Sequence, residues 1–205
     1  MICSICGNAK FIHPAPGREF RVCSQCFAME RHRVLWDILK EKDFSNLRVL
    51  EIAPLTPYIF GGRLKEKDPS VIYLSSDKFK SGNPKDRRDS SFCDTFFDLA
   101  EMPNFIDNYS IDVFLMQHVL EEIPDYLQCL INIAGALTKD GVAYLEIPNS
   151  SNISQHIQKE EDHFGNVWTF SQQQLFHELK ALFGKVQVFN YAESGCTGNF
   201  FECHT

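Results

Sequence analysis

The sequence predicts an α/β protein: a doubly wound, mostly parallel seven-stranded sheet behind a small cysteine-bound module at the front. Three observations carry this. Short apolar runs recur after residue 48, and several end in an acid, as in Val49-Leu50-Glu51-Ile52 and Val71-Ile72-Tyr73-Leu74-Ser75-Ser76-Asp77. Such runs mark strands buried on both faces. Helical patterns separate them, which implies parallel strands joined by right-handed crossovers. Two Cys-x2-Cys pairs, Cys3/Cys6 and Cys23/Cys26, stand 16 residues apart, the spacing of a tetrahedral zinc site closed by four thiolates.

The elements follow in order. Residues 1–28 form the zinc-ribbon or knuckle module, with Gly7 after the first pair, where a metal-binding turn favours positive φ. A linking segment, 29–47, holds a helix from Met29 to Asp43. Its apolar face carries Val34, Leu35, Ile38 and Leu39, with Trp36 beside them. The body, 48–205, opens with a strand over 48–52. A weak helix over 58–65 and a strand over 71–77 come next. A polar loop, 78–90, leads to a short strand at 95–98. A strand over 111–116 ends at Gln117-His118, and a helix runs from Pro124, a good first-turn residue, to Leu137. Lys139-Asp140-Gly141 is expected as a turn before a strand over 142–147. Ser171 caps a helix that Gly184 stops. Strands over 186–189 and 199–203, joined by a turn at 194–198 without a helix between them, imply a terminal hairpin that makes the last strand antiparallel.

Composition narrows the function. At 205 residues the chain suits one medium domain with a small appendage, and 18 Phe supply much of a core. Residues 1–48 hold eight Lys and Arg against five Asp and Glu; the remainder holds 12 against 22. An acidic body argues against a broad nucleic-acid footprint. The chain shows neither a leader pattern after Met1 nor an apolar run of membrane-spanning length, so the expected setting is cytoplasmic and reducing, with thiols rather than disulfides. Cys93, Cys129, Cys196 and Cys203 read as small buried hydrophobes.

Ligands of open α/β sheets sit beyond the carboxyl ends of the strands. Glu51, Asp77, Asp98 and Gln117-His118 all fall at such ends. That convergence is the strongest functional signal after the cysteines.

From Arg48 onward the chain resembles the class I S-adenosylmethionine-dependent methyltransferases, with their Rossmann-like fold. Val49-Leu50-Glu51-Ile52-Ala53 stands at the family's first motif and Tyr73-Leu74-Ser75-Ser76-Asp77 at its second. Asp98-Leu99-Ala100-Glu101-Met102-Pro103 and the following strand resemble its adenine-side loop. His118-Val119-Leu120-Glu121-Glu122-Ile123-Pro124-Asp125 resembles the segment after the fourth strand. The front cysteines with Glu30-Arg31-His32-Arg33 are similar to a bacterial subgroup of that family with a four-cysteine zinc knuckle. The resemblance implies cofactor contacts at Glu51, Ala53, Pro54, Asp77, Lys78, Asp98, Leu99 and Gln117. Asp77 would take the ribose diol and Asp98 the adenine amine. It departs from the family at Ala53-Pro54-Leu55, where glycines are usual.

His118 and His163 are the candidate catalytic residues, His163 because it precedes an aromatic stretch (Phe164, Trp168, Phe170) suited to an acceptor pocket. Arg31-His32-Arg33 is a candidate phosphate site. Against each stands a plain role: a packed polar residue for His118, a covering loop for Asp162-His163, a solvated helix start for Arg31-His32-Arg33. The expected reaction is methyl transfer to a small molecule such as a sugar or related metabolite. The alternatives are an RNA or protein acceptor read by the zinc module, and a non-catalytic binding protein on the same scaffold.

Overall fold

The computed structural model describes the chain apart from residues 14–15, 17–18, 58, 81–89, 103–105, 107–109, 163–164 and 194–195. At the front, β1 (Phe11–Ile12) and β2 (Val22–Cys23) form a small antiparallel ribbon. Gly7 has φ +76° and Phe27 has φ +61°, so the residue after each Cys-x2-Cys pair is left-handed. In both turns that residue's N–H donates to the carbonyl of the first cysteine, Gly7 to Cys3 and Phe27 to Cys23.

Helix α1 (Glu30–Leu39) is shorter than the predicted 29–43, and its buried face is not the apolar one alone. Leu35, Trp36 and Leu39 are buried, but so are Glu30, His32 and Arg33. Arg33 donates to the carbonyls of Ala28 (3.1 Å) and Phe20 (2.7 Å) and lies over the Phe11 ring. It fastens the cysteine module to the helix. His32 Nδ1 accepts the Met29 N–H at 3.0 Å, capping the helix start. Burial, then the charges of Arg31, His118 and Arg33, hold this imidazole well below its ordinary pKa, so it is neutral. The reading of 31–33 as a solvated helix start is therefore corrected for His32 and Arg33.

The main sheet then alternates with helices: β3 (Arg48–Ile52), α2 (Gly61–Lys67), β4 (Ile72–Asp77), the short β5 (Thr95–Phe96), β6 (Ile111–Gln117), α3 (Tyr126–Ala136) and β7 (Leu137–Glu146). After two small strands, β8 (Asn149–Ser150) and β9 (Ile157–Gln158), come β10 (Trp168–Ser171), α4 (Gln172–Leu182), β11 (Lys185–Glu193) and β12 (Cys196–His204). The seven-stranded order is β11-β12-β7-β6-β3-β4-β5. Every described pairing from β7 through β5 is parallel; β12 runs antiparallel to both β7 and β11. The predicted doubly wound sheet with a terminal hairpin is present.

Parity divides the core into two layers. Val49, Val113, Leu115, Tyr144 and Phe200 face α1, the cysteine module, Phe60 and Leu64. Leu50, Ile52, Phe114, Met116, Leu145 and Phe201 face α3 and α4 through Leu130, Ile133, Leu175 and Leu179. The alternation reflects the two-residue period of a strand. Ser171 caps α4 by accepting the Gln174 N–H, and Asp125, one residue past Pro124, caps α3.

Three local expectations fail. Helix α2 begins at Gly61 rather than at Tyr58, which lies outside the described residues; a Cβ on Gly61 would meet the Tyr73 ring at 2.5 Å. Lys139-Asp140-Gly141 belongs to β7, with a register irregularity opposite Ile111 and Val113, rather than to a separate turn. Gly198 pairs with Tyr191 inside the hairpin rather than in its turn, because the ladder continues to Glu193 and Cys196.

Candidate active site

Two cavities meet at the carboxyl ends of β3 and β6, sharing Ile52, Ala53 and Glu122 in their walls. The smaller, about 270 Å³, has Asp77, Lys78 and Asp98 with the apolar Phe79, Phe97, Leu99, Val119 and Ile123. The larger, about 900 Å³, is bounded by the cysteine module and α1, by the strand ends, and by the small sheet in which β10 lies between β8 and β9. Trp168 closes this cover by donating its indole N–H to the Ile123 and Pro124 carbonyls at 3.1 Å. Val167 N–H donates to the Glu121 carbonyl at 2.8 Å.

In the smaller cavity Asp77 stands at the end of β4 and is buried. Its carboxylate accepts the Ser90 hydroxyl (2.6 Å) and the Phe79 N–H (3.3 Å). Asp98 caps a short 3-10 turn, Leu99–Glu101, through the Ala100 N–H and pairs with Lys78 at 2.6 Å. Burial opposes its charge, but the Lys78 ammonium and the Ala100 N–H prevail, and the carboxyl lies below its ordinary range. Leu99 is buried against the same cavity.

In the larger cavity Glu51 is buried on β3 and accepts the Tyr73 hydroxyl from β4. Burial pushes its carboxyl up to about 8; the Tyr73 hydrogen bond pulls only part of the way back. In the folded protein Glu51 thus stays protonated over a pH range where the unfolded chain, near its ordinary 4.5, is ionised. Stability contributed by the group falls as pH rises from the unfolded value towards 8. The expected result is that Glu51→Gln stabilises the fold, with a gain that grows by roughly 1–2 kcal/mol between about pH 5.5 and about pH 7.5. Urea unfolding at the two pH values checks it; a gain independent of pH would count against a neutral Glu51.

Ala53 follows β3 with φ +52°, and His118 follows β6 with φ +54°. Adjacent strand ends thus both turn through left-handed residues that are not glycine. Strain of this kind concentrates at ligand sites. Ala53 N–H donates to the Ser76 carbonyl at 2.7 Å, which fixes the turn that glycines make elsewhere. Ala53→Gly is expected to raise stability by about 1 kcal/mol, by relieving the left-handed strain, and to leave ligand affinity intact. Denaturant melting with and without ligand checks this. Pro54 is buried and lines neither cavity.

The His118 ring reaches two carboxylates, Glu121 from Nδ1 and Glu146 from Nε2, each at 3.0 Å. Burial works against its charge, yet the two carboxylates outweigh it and lift the imidazole to about 9. At neutral pH it is a cation without a free lone pair. Glu146 also accepts the Tyr191 hydroxyl at 3.2 Å. Gln117 lines the same cavity and donates to the Arg31 carbonyl at 3.4 Å. His163 lies outside the described residues, while Trp168 does line the cavity.

The structure thus divides the sequence candidates between two rooms: Asp77, Lys78, Asp98 and Leu99 in one, Glu51, Gln117 and His118 in the other, with Ala53 between. Glu121, Glu146 and Arg21 were missed. Glu146 ends β7 as an acid, the same signal that singled out Glu51 and Asp77, and Glu121 lies three residues after His118.

The four module sulfurs all lie within 4.8 Å of one another. Cys3 and Cys26 sulfurs are 3.7 Å apart, and Cys6 and Cys23 sulfurs 3.5 Å. A tetrahedron with Zn–S bonds of about 2.3 Å has edges of about 3.8 Å, so the donor set fits a four-thiolate zinc ion. Among the described residues no other group of three or more His, Cys, Asp or Glu has such spacing.

No protein-family profile matches the chain, and no curated protein matches it. Solved structures do. A SAM-dependent methyltransferase from Archaeoglobus fulgidus matches at TM-score 0.58 and 16% identity, over 78% of this chain and 71% of that one. The Burkholderia thailandensis 1,6-didemethyltoxoflavin-N1-methyltransferase, solved with S-adenosylhomocysteine, matches at 0.55 and 15%, over 84% and 75%. The N-terminal domain of EvdMO1, solved in the presence of S-adenosylhomocysteine and D-fucose, matches at 0.57 and 14%, over 85% and 81%. The chain spans about half the length of two others, the citrinin polyketide synthase CMeT domain (51%) and the CurJ carbon methyltransferase (53%). The fold is that of the class I S-adenosylmethionine-dependent methyltransferases. No helix among the described residues is long and apolar enough to cross a membrane.

Proposed function

We propose that this chain transfers a methyl group from S-adenosylmethionine to a small-molecule acceptor. The observation that carries the reading is the pair of cavities meeting at Ala53. The smaller suits a nucleoside: Asp77 offers two fixed oxygens to a ribose diol, Asp98 offers an acceptor to an adenine amine, and Phe97, Leu99 and Val119 supply apolar walls. The methionine end would pass Ala53 towards Glu51 and Gln117. The larger cavity, within the size range of small-molecule pockets, receives the acceptor.

When bound, the cofactor supplies an already activated methyl group on its sulfonium. The chain's own work is then positioning and exclusion of water. The Trp168 strand covers the acceptor room, and Glu121, Glu146 and Tyr191 hold His118 in one orientation at its wall. Held as a cation between two carboxylates that take both of its ring N–H groups, His118 is a fixed part of the wall rather than a resting base. Cys3, Cys6, Cys23 and Cys26 would hold a structural zinc, which would staple the front module rather than take part in the chemistry.

A protein or RNA acceptor read by the basic front is the weaker reading. Arg33, one of the front cations, is committed to backbone carbonyls and is buried. Incubation with methyl-labelled S-adenosylmethionine and separated small-molecule, RNA and protein fractions of a cell extract tests the choice. Label is expected in the small-molecule fraction; label in RNA or protein instead would overturn that acceptor class.

A further inference from the structure

Arg21, just before β2, and Arg31, in the first turn of α1, both line the larger cavity. The Nε atoms of both are buried and have no hydrogen-bond partner among the described residues. Among the described residues, the acceptor that the Arg31 guanidinium meets is the Met29 thioether at 3.0 Å, a weak one. No carboxylate pairs with either guanidinium among the described residues. Of the carboxyl groups lining this cavity, Glu51 accepts the Tyr73 hydroxyl and Glu121 meets His118 through one oxygen; Glu30 and Glu122 line it as well. A buried guanidinium N–H without a partner is costly, and two of them on one cavity wall leave several forked donors for a single anionic group.

We propose that Arg21 and Arg31 form an oxyanion subsite in the acceptor cavity, so that the acceptor carries a phosphate or a carboxylate. The proposal rests on the methyltransferase reading for the word acceptor; the anion site itself does not. Arginine matches either group through two parallel N–H···O bonds. His118 stands on the same cavity with its charge offset by Glu121 and Glu146, each at 3.0 Å, so the two guanidinium groups carry the attraction for an anion.

The test uses the zinc-loaded full chain and follows the arginine Nε–H signals by nitrogen-15 NMR. The sample is titrated with inorganic phosphate and with acetate at constant ionic strength. Saturable shifts of the Arg21 and Arg31 signals are expected with at least one of the two, and the tighter one tells phosphate from carboxylate. Arg31→Gln is expected to weaken that binding at least tenfold, with partial recovery in Arg31→Lys, which keeps the charge and loses the fork. Signals that move with neither anion would overturn the subsite, as would an Arg31→Gln variant that binds as the parent does. If Arg31→Gln does not fold, the wild-type signals alone decide. Titration of the same sample with S-adenosylhomocysteine reads the methyltransferase site separately, because neither arginine lines the smaller cavity.

Discussion

Asp77→Ala is expected to weaken S-adenosylhomocysteine binding at least tenfold, about 1.4 kcal/mol or more. β4 ends in a carboxylate with no flexible stem, buried at the mouth of the smaller cavity. Hydrogen bonds to a charged group contribute roughly 1.5–3 kcal/mol each, and a diol makes two. Asp77 also accepts the Ser90 hydroxyl, so alanine removes a loop tether together with the ligand contact. Ser90→Ala removes the tether alone and serves as the control; its loss of affinity is expected to be much the smaller. Calorimetric titration of the three proteins separates the two roles. Equal losses in both variants would reassign Asp77 to holding its loop.

Loss of the metal is expected to damage one cavity and spare the other. Cys23→Ser should release zinc and loosen residues 1–28 while the sheet survives. Metal affinity in such modules is folding free energy, and here the ribbon has only two-residue strands to hold it otherwise. The consequence for function follows from the walls. Arg21, Met29, Arg31 and His32 line the larger cavity, whereas the smaller has no lining residue before Ile52. The variant should therefore keep S-adenosylhomocysteine affinity near that of the parent and lose oxyanion binding. Metal analysis, hydrogen exchange over the first 28 residues and the two titrations check this. One bound zinc per chain in the variant would contradict the ligand set.

The main sheet was legible because parallel strands write themselves as apolar runs, and the runs at 48–52, 71–77 and 111–116 fall within a residue or so of β3, β4 and β6. Acids at strand ends located Asp77 and Asp98 for the same reason. What escaped notice lacked such a pattern. β8 and β9 have two residues each, too few to show a period, so the cover over the larger cavity was unreadable. Arg33 and His32 sit on the buried side of α1, where hydropathy puts solvent; their partners are backbone carbonyls and an N–H that no side-chain pattern reveals. Left-handed turns at Phe27, Ala53 and His118 carry none of the glycine that marks such turns, whereas Gly7 could be foreseen. The first motif departs from the resembled family at Ala53-Pro54-Leu55, where glycines are usual. In the fold Pro54 is buried and lines neither cavity, and Ala53 makes the tight turn itself.

The most direct measurement is calorimetric titration of the purified, zinc-loaded chain with S-adenosylmethionine and S-adenosylhomocysteine. Saturable binding of both at one site per chain, in the micromolar range or tighter, about −8 kcal/mol, is the predicted result. Absence of binding to either, in a protein whose sheet is folded, would contradict a working methyltransferase site and leave the scaffold to some other ligand.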